Sequence, residues 1–121
     1  MARLLIVDDD NMVRAMLQQM LERAGYDVIA AKNGVEAELI CSQKKPNLVI
    51  TDIVMPEKEG LELIRDLKLM FPDIKLIAIS GGGRISSDDY LTIARGLGAI
   101  YTLKKPISQV ELLNTIKELL N

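Results

Sequence analysis

The sequence predicts an α/β fold in which five parallel strands form one sheet with helices on both faces. Two observations carry this prediction. Five short, continuous apolar runs are typical of strands that are buried on both faces, and segments with helical apolar spacing lie between them. Strands that alternate with helices are joined by crossovers, so we expect five strand–helix units with parallel strands.

The elements follow one another with short connections. The predicted strands are Leu4–Val7, Val28–Ala31, Leu48–Ile50, Leu76–Ile79 and Ile100–Leu103. The first helix covers Met12–Leu21, where apolar residues repeat at i, i+1, i+4 and i+5, and Gly25 ends it. Weaker helical patterns cover Val35–Cys41, Leu61–Met70 and Tyr90–Leu97.

The fifth helix has the clearest boundary signal. Ser108 and Glu111 have the spacing of a capping box, and an apolar stripe follows, formed by Val110, Leu113, Ile116 and Leu120. We expect the methionines of the first helix to pack in the core and Cys41 to be a small buried hydrophobe. The four prolines all fall in connections, where they break no helix.

Composition and charge exclude several classes of protein. Residues 1–121 contain no repeat or linker, so we expect one stand-alone domain. The net charge of −2 gives no basic surface for nucleic acid or an anionic membrane. No apolar run approaches the roughly 20 residues that span a bilayer, and no signal peptide is evident, so we expect a cytoplasmic protein. The absence of histidine excludes histidine catalysis and histidine phosphorylation within this chain.

Polar residues follow four of the five predicted strands at their carboxyl ends. They are Asp8, Asp9 and Asp10, then Asp52, Ser80 and Lys105. In a parallel α/β sheet the site lies at this edge. If the strand order is 2-1-3-4-5, then Asp8, Asp9 and Asp52 share one pocket, and Ser80 and Lys105 line its far wall.

Three carboxylates in one cleft repel one another unless a cation neutralises them. Hard oxygen ligands with open water positions suit Mg²⁺. A magnesium site with a reactive carboxylate, a fixed ammonium and a hydroxyl is suited to phosphoryl transfer. The sequence therefore predicts a Mg²⁺-dependent phosphoryl-transfer site at this edge.

Each of these residues also has a purely structural interpretation. We favour Asp10 as the cap of the first helix, because an aspartate there accepts from free N–H groups. Taken singly, Asp52 and Ser80 would be ordinary turn residues, and Lys104 is interpreted as a solvated surface charge. The alignment of Asp52 with the acidic pair and Lys105 favours a functional interpretation.

Four motifs resemble those of the receiver domain of response regulators in two-component signalling. They are the acidic pair in IVDDD, then TDIVMPEKEG, IAISGGG and KKP, each after its own predicted strand. The resemblance covers the whole chain. It implies a flavodoxin-like fold, a (βα)5 three-layer sandwich with a parallel sheet of strand order 2-1-3-4-5.

The resemblance also implies roles for single residues. Asp52 would be the phosphoacceptor. Mg²⁺ would be bound by Asp9, Asp52 and the backbone carbonyl of Val54, with Asp8 supporting it partly through water. Ser80 would hydrogen-bond the phosphoryl group.

The remaining implied roles concern the lysine and two loops. Lys105 would pair with a phosphoryl oxygen or with Asp52, and the Lys105–Pro106 bond would be cis, a geometry otherwise rare. Pro56 and Gly60 would shape the loop after the acceptor.

Two departures from the family pattern are visible. The family commonly has an aromatic residue three positions before the lysine, where this chain has Thr102, and the tyrosine is one earlier, at Tyr101. A one-residue step on a strand reverses the side chain, so we expect Tyr101 not to perform the usual rotamer change. The loop SGGGRISSDD is rich in glycine, and we interpret it as a hinge rather than a phosphate cradle.

The resemblance implies a response regulator receiver that accepts a phosphoryl group from a histidine kinase or histidine phosphotransfer protein. It implies slow loss of that group and no other enzymatic activity. We expect a downstream protein to bind the face of the fourth helix, fifth strand and fifth helix, with no direct contact to nucleic acid or membrane. That face includes Leu91, Arg95, Tyr101 and Lys104.

Three alternatives are weaker. A pseudo-receiver that only binds partners would not need the full acidic set. A phosphatase that works through an aspartyl-phosphate would need a second acid where this chain has Val54. A nucleotide-binding domain would need a glycine fingerprint after the first strand, where DDDNMV stands.

Overall fold

A computed structural model of the chain describes residues 2–53, 60–80, 92, 94–99 and 101–120. These residues form one parallel sheet of five strands, in the order second, first, third, fourth, fifth. The predicted fold class and strand order are therefore confirmed. The elements are β1 (Arg3–Val7), α1 (Asn11–Arg23), β2 (Asp27–Ala31), α2 (Gly34–Lys44), β3 (Leu48–Asp52), α3 (Gly60–Met70), β4 (Lys75–Ser80), α4 (described helical residues 92 and 94–97), β5 (Tyr101–Lys104) and α5 (Gln109–Leu120).

The strands end nearly level with one another at their carboxyl ends. Val7 of β1 pairs with Thr51 of β3, and Asp52 pairs with Ile79 of β4. Ser80 in turn pairs with Lys104 of β5. Residues that follow these strands therefore meet along one edge of the sheet.

The sheet separates two apolar cores, because alternate residues of each strand point to opposite faces. Leu5, Val49 and Leu76 belong to the core on the side of α2, α3 and α4. Leu4 and Ile50 belong to the core on the side of α1 and α5. Both faces are covered, which explains why the strand sequences are continuously apolar.

Asp10 caps α1, as predicted. Its side chain accepts hydrogen bonds from the backbone N–H groups of Met12 at 2.9 Å and Val13 at 3.2 Å. The helix ends before Gly25, which has a φ of 98°, a conformation that favours glycine. These boundaries fix the turn between β1 and α1, which carries the acidic residues.

The prediction that the methionines of α1 pack in the core is wrong for two of them. Met12 is 83% exposed and Met16 is 51% exposed. The buried residues of this helix are Leu17 and Leu21. Met12 and Met16 lie one residue before the row of Val13 and Leu17, about 100° around the helix, so they point away from the sheet.

The apolar stripe predicted for α5 is also shifted. Val110 is 69% exposed, whereas Leu112 and Ile116 are buried. The face against the sheet is therefore centred on the row of Leu112 and Ile116. The helix begins as the capping box predicts, since the Ser108 hydroxyl accepts from the Glu111 N–H at 3.3 Å.

Cys41 is buried, as predicted. Burial raises the pKa of its thiol to about 11, and the charge of Glu38 adds to the effect. A thiol with this pKa stays protonated at neutral pH and is a poor nucleophile.

Among the residues that the structure describes, no helix combines the length and the apolar character required to cross a lipid bilayer.

Candidate functional site

Backbone hydrogen bonds beyond the strand ends hold the polar residues at the carboxyl edge of the sheet. The Asp8 N–H donates at 3.2 Å to the carbonyl of Ala31, the last residue of β2. At the other side, the Lys105 N–H donates to the Ser80 carbonyl at 2.9 Å. The backbone at Asp8 and at Lys105 is therefore held by hydrogen bonds, and this positions their side chains in the site.

Three carboxylates converge at this edge, as the sequence predicts. Asp8, Asp9 and Asp52 each place an oxygen so that the three atoms lie within 4.8 Å of one another. Asp8 and Asp52 are buried, at 3% and 7% exposure, whereas Asp9 is exposed. The cluster thus has a buried pair and one member in contact with solvent.

Lys105 lies against the buried pair. Its Nζ is 3.2 Å from Asp52 Oδ2 and 3.5 Å from Asp8 Oδ2. Burial lowers the pKa of Lys105, but the charges of Asp52 and Asp8 outweigh it, so the pKa is raised above its ordinary value. The ammonium is therefore charged at neutral pH and neutralises part of the cluster.

Burial acts on the pKa of Asp8 in the opposite direction to that of Lys105. Burial raises the pKa of its carboxyl group, and the charges of Asp52 and Asp9 add to the effect. The N–H of Asp10, which donates to Asp8 Oδ1 at 2.9 Å, and the Lys105 ammonium act against it. The net pKa of Asp8 is raised, so burial and the neighbouring carboxylates together outweigh the two stabilising contacts.

The donor set fits a hard divalent cation. All three side chains offer carboxylate oxygens at close range, which is the chemistry that Mg²⁺ prefers. Among the described residues, one ammonium lies against this cluster of three carboxylates. Burial is the main cause of the raised pKa of Asp8, and a cation would relieve the repulsion that adds to it. The predicted backbone ligand, Val54, lies outside the described residues, and so does Pro56.

Ser80 ends β4 at the same edge. Its Oγ is buried and has no hydrogen-bond partner among the described residues. A buried hydroxyl without a partner is unfavourable unless another group supplies one. Ser80 therefore has a free donor at the edge where the carboxylates lie, and the glycines that follow it, 81–83, lie outside the described residues.

Gly60 begins α3 in direct contact with the backbone of the candidate acceptor. Its N–H donates to the Ile53 carbonyl at 2.8 Å. A Cβ at this position would lie 2.1 Å from the Asp52 carbonyl oxygen and 2.5 Å from the Ile53 Cα. Only glycine permits this approach, which agrees with the prediction that Gly60 shapes the segment after Asp52.

The structure places Tyr101 and Thr102 on opposite faces of β5. Tyr101 packs against the core on the side of α1 and α5, and its hydroxyl lies 3.5 Å from Glu118 of α5. Thr102 pairs with Ala78, which belongs to the core on the other side. The expected reversal of the tyrosine is confirmed. The Lys105–Pro106 bond is cis, as the resemblance implied.

Arg14 is a residue at the site that the sequence interpretation missed. Its Nη1 group donates to the Asp8 carbonyl at 2.7 Å, and its Nη2 group donates to Asn11 Oδ1. The only sequence signal was its spacing of four residues from Asp10, one helical turn into α1.

The comparison with protein families shows the family of this chain. The family model described as response regulator receiver domain matches residues 4–117. This chain belongs to that family. Receiver domains are the signal-accepting parts of two-component response regulators, generally without other enzymatic activity, and they typically bind Mg²⁺ at an acidic pocket.

Relatives of this receiver domain have different lengths. This chain is 35% identical over 120 residues to the response regulator receiver protein CpdR of Brucella abortus, and the match covers 99% of this chain and 98% of CpdR. It is 38% identical over 99 residues to the alkaline phosphatase synthesis transcriptional regulatory protein PhoP of Bacillus subtilis, covering 74% of this chain. That match spans 41% of PhoP, so PhoP is much longer than the receiver domain.

Solved structures of receiver domains have the same fold. A receiver domain protein from Clostridium thermocellum superimposes with a TM-score of 0.91 at 27% identity, covering 98% of this chain and 94% of that protein. A CheY-like receiver from Methanospirillum hungatei has a TM-score of 0.90 at 31% identity, covering 98% of this chain and 92% of that protein. Family members interact with histidine kinases and downstream effectors.

Proposed function

We propose that this receiver domain accepts a phosphoryl group on Asp52 from a phosphohistidine of a partner protein, in a Mg²⁺-dependent reaction. One observation carries the proposal. The buried Asp52 carboxylate lies within 4.8 Å of two further carboxylates and 3.2 Å from the Lys105 ammonium. A nucleophile with a metal site and a fixed cation beside it is what phosphoryl transfer to a carboxylate requires.

The transfer needs no general base on this chain. An oxygen of the ionised Asp52 carboxylate attacks phosphorus, and a new P–O bond forms. The P–N bond to the imidazole breaks, and the imidazole leaves with the bonding electrons and takes a proton from solvent. The product is an acyl phosphate on Asp52, which water later hydrolyses slowly.

Asp9, Asp52 and the Val54 carbonyl would bind Mg²⁺, and Asp8 would support it partly through water. The ion would neutralise charge on the phosphoryl oxygens. Asp9 is the exposed member of the cluster, so an ion can reach it from solvent. Asp8, held by the Asp10 N–H, keeps the inner wall of the site fixed.

Ser80 and Lys105 would bind the phosphoryl oxygens. The Ser80 hydroxyl has a free donor, so a phosphoryl oxygen would supply the partner that it lacks. Lys105 already contacts Asp52 Oδ2, and its ammonium would pair with a phosphoryl oxygen once the acceptor oxygen is esterified. Ser80 would move toward the new charge and bias α4 and β5.

The partner that donates the phosphoryl group would be a histidine kinase or a histidine phosphotransfer protein, since this chain contains no histidine. A downstream protein would bind the face of α4, β5 and α5. There Arg95 and Lys104 are exposed and Tyr101 is half-buried, while Leu91 lies outside the described residues. We propose that residues 1–121 form one receiver domain, that it is located in the cytoplasm, and that it makes no direct contact with nucleic acid.

The test is the intact mass of the protein after incubation with Mg²⁺ and small phosphodonors, including phosphoramidate, which contains the P–N bond. The variants are Asp52→Asn and, as a matched control, Asp27→Asn, which removes an aspartate that pairs with Arg3. We expect one labile phosphoryl group in the wild type and in Asp27→Asn, and none in Asp52→Asn or without Mg²⁺.

The absence of an adduct with every donor, together with no Mg²⁺ binding by titration, would overturn the proposal. The chain would then be a pseudo-receiver that acts by binding partners alone. An adduct that persists in Asp52→Asn would instead place the acceptor at another residue.

A further inference from the structure

The guanidinium group of Arg14 contacts the turn that carries the acidic residues. Its Nη1 donates to the backbone carbonyl of Asp8 at 2.7 Å, and its Nη2 donates to Asn11 Oδ1. The hydrogen bond to Asp8 is partly buried, whereas the hydrogen bond to Asn11 is exposed. Arginine has a planar fork of five donors, which lets it hold two acceptors at once.

These contacts restrain the backbone on one side of Asp9. Arg14 holds the carbonyl of the peptide group between Asp8 and Asp9. On the other side, Asp8 Oδ1 accepts from the N–H of Asp10 at 2.9 Å and so holds the next peptide group. The exposed carboxylate of Asp9 is therefore carried by a residue whose two flanking peptide groups are both hydrogen-bonded.

Arg14 is itself fixed by the helix. Its backbone N–H donates to the Asp10 carbonyl at 2.9 Å, and the Asp10 side chain caps the same helix. The side chain then returns from the first turn of α1 to the end of β1. Its hydrogen bonds go to a carbonyl and an amide oxygen, so it leaves the carboxylates available to a cation.

We propose that Arg14 is a positioning residue for the metal site, which holds the Asp8–Asp9 peptide group so that Asp9 is preorganised to bind Mg²⁺. The inference rests on the proposed function, since it requires that the acidic cluster binds Mg²⁺. It adds a residue that acts on the site through the backbone and does not touch the ion.

The loss of the Arg14 charge and the loss of its hydrogen bond predict opposite effects of Arg14→Ala on Mg²⁺ affinity. Arg14 carries a positive charge near the cluster, so electrostatics alone predicts that Arg14→Ala strengthens the binding of a cation. Loss of the hydrogen bond to Asp8 predicts weaker binding, because Asp9 would lose its restraint. Loss of a group that orients metal ligands typically lowers metal affinity by about tenfold or more.

The experiment measures Mg²⁺ affinity by titration calorimetry, with the backbone amide shift of Asp10 in NMR as a second readout. The variants are Arg14→Ala, Arg14→Gln and Arg14→Lys, with Arg23→Ala as a matched control on the last turn of the same helix. Thermal unfolding without Mg²⁺ separates loss of affinity from loss of the fold.

We expect Arg14→Ala to lower Mg²⁺ affinity about tenfold and Arg23→Ala to leave it unchanged. Arg14→Lys should recover part of the affinity, because it keeps a donor only one atom short of the guanidinium nitrogen that makes the bond. Arg14→Gln keeps an uncharged donor that is two atoms short, so it should recover less. The lysine variant keeps the positive charge and the glutamine variant does not, so recovery in both would be due to the hydrogen-bond donor and not to the charge.

Two outcomes would overturn this inference alone. Unchanged or higher affinity in Arg14→Ala would show that charge outweighs positioning, provided that Asp9→Asn still abolishes binding. Equal losses in all three Arg14 variants would show that the hydrogen bond is not what matters. If the wild type binds no Mg²⁺, or Asp9→Asn binds it normally, the proposed metal site itself fails.

Discussion

Replacement of Lys105 by methionine tests the charge balance of the site. The substitution keeps a long apolar chain but leaves two buried carboxylates without their ammonium, which lies 3.2 Å from Asp52 and 3.5 Å from Asp8. Removal of one partner from a buried ion pair costs about 3–5 kcal/mol. The Lys105 side chain is 27% exposed, so water can solvate the carboxylates in part once the ammonium is removed, which reduces this cost.

We therefore expect Lys105→Met to lower the free energy of unfolding by about 2–3 kcal/mol in the absence of Mg²⁺. At about 4 °C per kcal/mol for a domain of this length, the Tm should fall by about 10 °C. The neighbouring Lys104 is exposed, so Lys104→Met is the matched control and should change stability by less than about 0.5 kcal/mol.

The assay is urea unfolding followed by circular dichroism, with and without Mg²⁺. Added Mg²⁺ should stabilise Lys105→Met more than the wild type, because the ion no longer competes with an ammonium for the same carboxylates. Equal losses in the two lysine variants, or equal stabilisation of mutant and wild type by Mg²⁺, would refute the reasoning.

Three further predictions follow from the same geometry. Gly60→Ala should lower stability by about 3 kcal/mol or more, since its Cβ would overlap the Asp52 carbonyl, whereas Gly96→Ala, which meets nothing within 4 Å, should be neutral or stabilising in thermal unfolding. The folded state holds the Asp8 proton more tightly than the unfolded chain, so without Mg²⁺ the free energy of unfolding falls as pH rises from the ordinary aspartate range through the raised pKa. Asp8→Asn should flatten this dependence in pH-resolved urea unfolding, and an unchanged slope would contradict it. Tyr101→Phe should cost less than about 1 kcal/mol in the same assay, since its hydroxyl contact with Glu118 is long and exposed; a larger loss would mean that this contact supports β5.

The fold and the position of the site could be predicted because they depend on local patterns. Continuous apolar runs identify buried parallel strands, and a parallel sheet brings all their carboxyl ends to one edge. Asp8, Asp52 and Lys105 were therefore expected to meet, and the structure brings them together. The reversal of Tyr101 relative to Thr102 followed from the two-residue period of a strand.

Tertiary packing decided the features that the sequence did not reveal. An apolar stripe shows that a helix is amphipathic but not which edge of the stripe meets the sheet, so Met12, Met16 and Val110 were wrongly expected to pack in the core. Arg14 acts on a backbone carbonyl, and a carbonyl has no sequence signature. The role of Val54 stays a prediction.

The bond between the Lys105 N–H and the Ser80 carbonyl limits how β5 can change during evolution. A shift of the whole strand by one residue would bring the tyrosine to the side of α4, but it would also move the lysine out of step with Asp52. With the register of β5 kept, an aromatic residue can be placed on that side by substitution at Thr102. The intermediate along such a path carries either two adjacent aromatic residues, one in each core, or none.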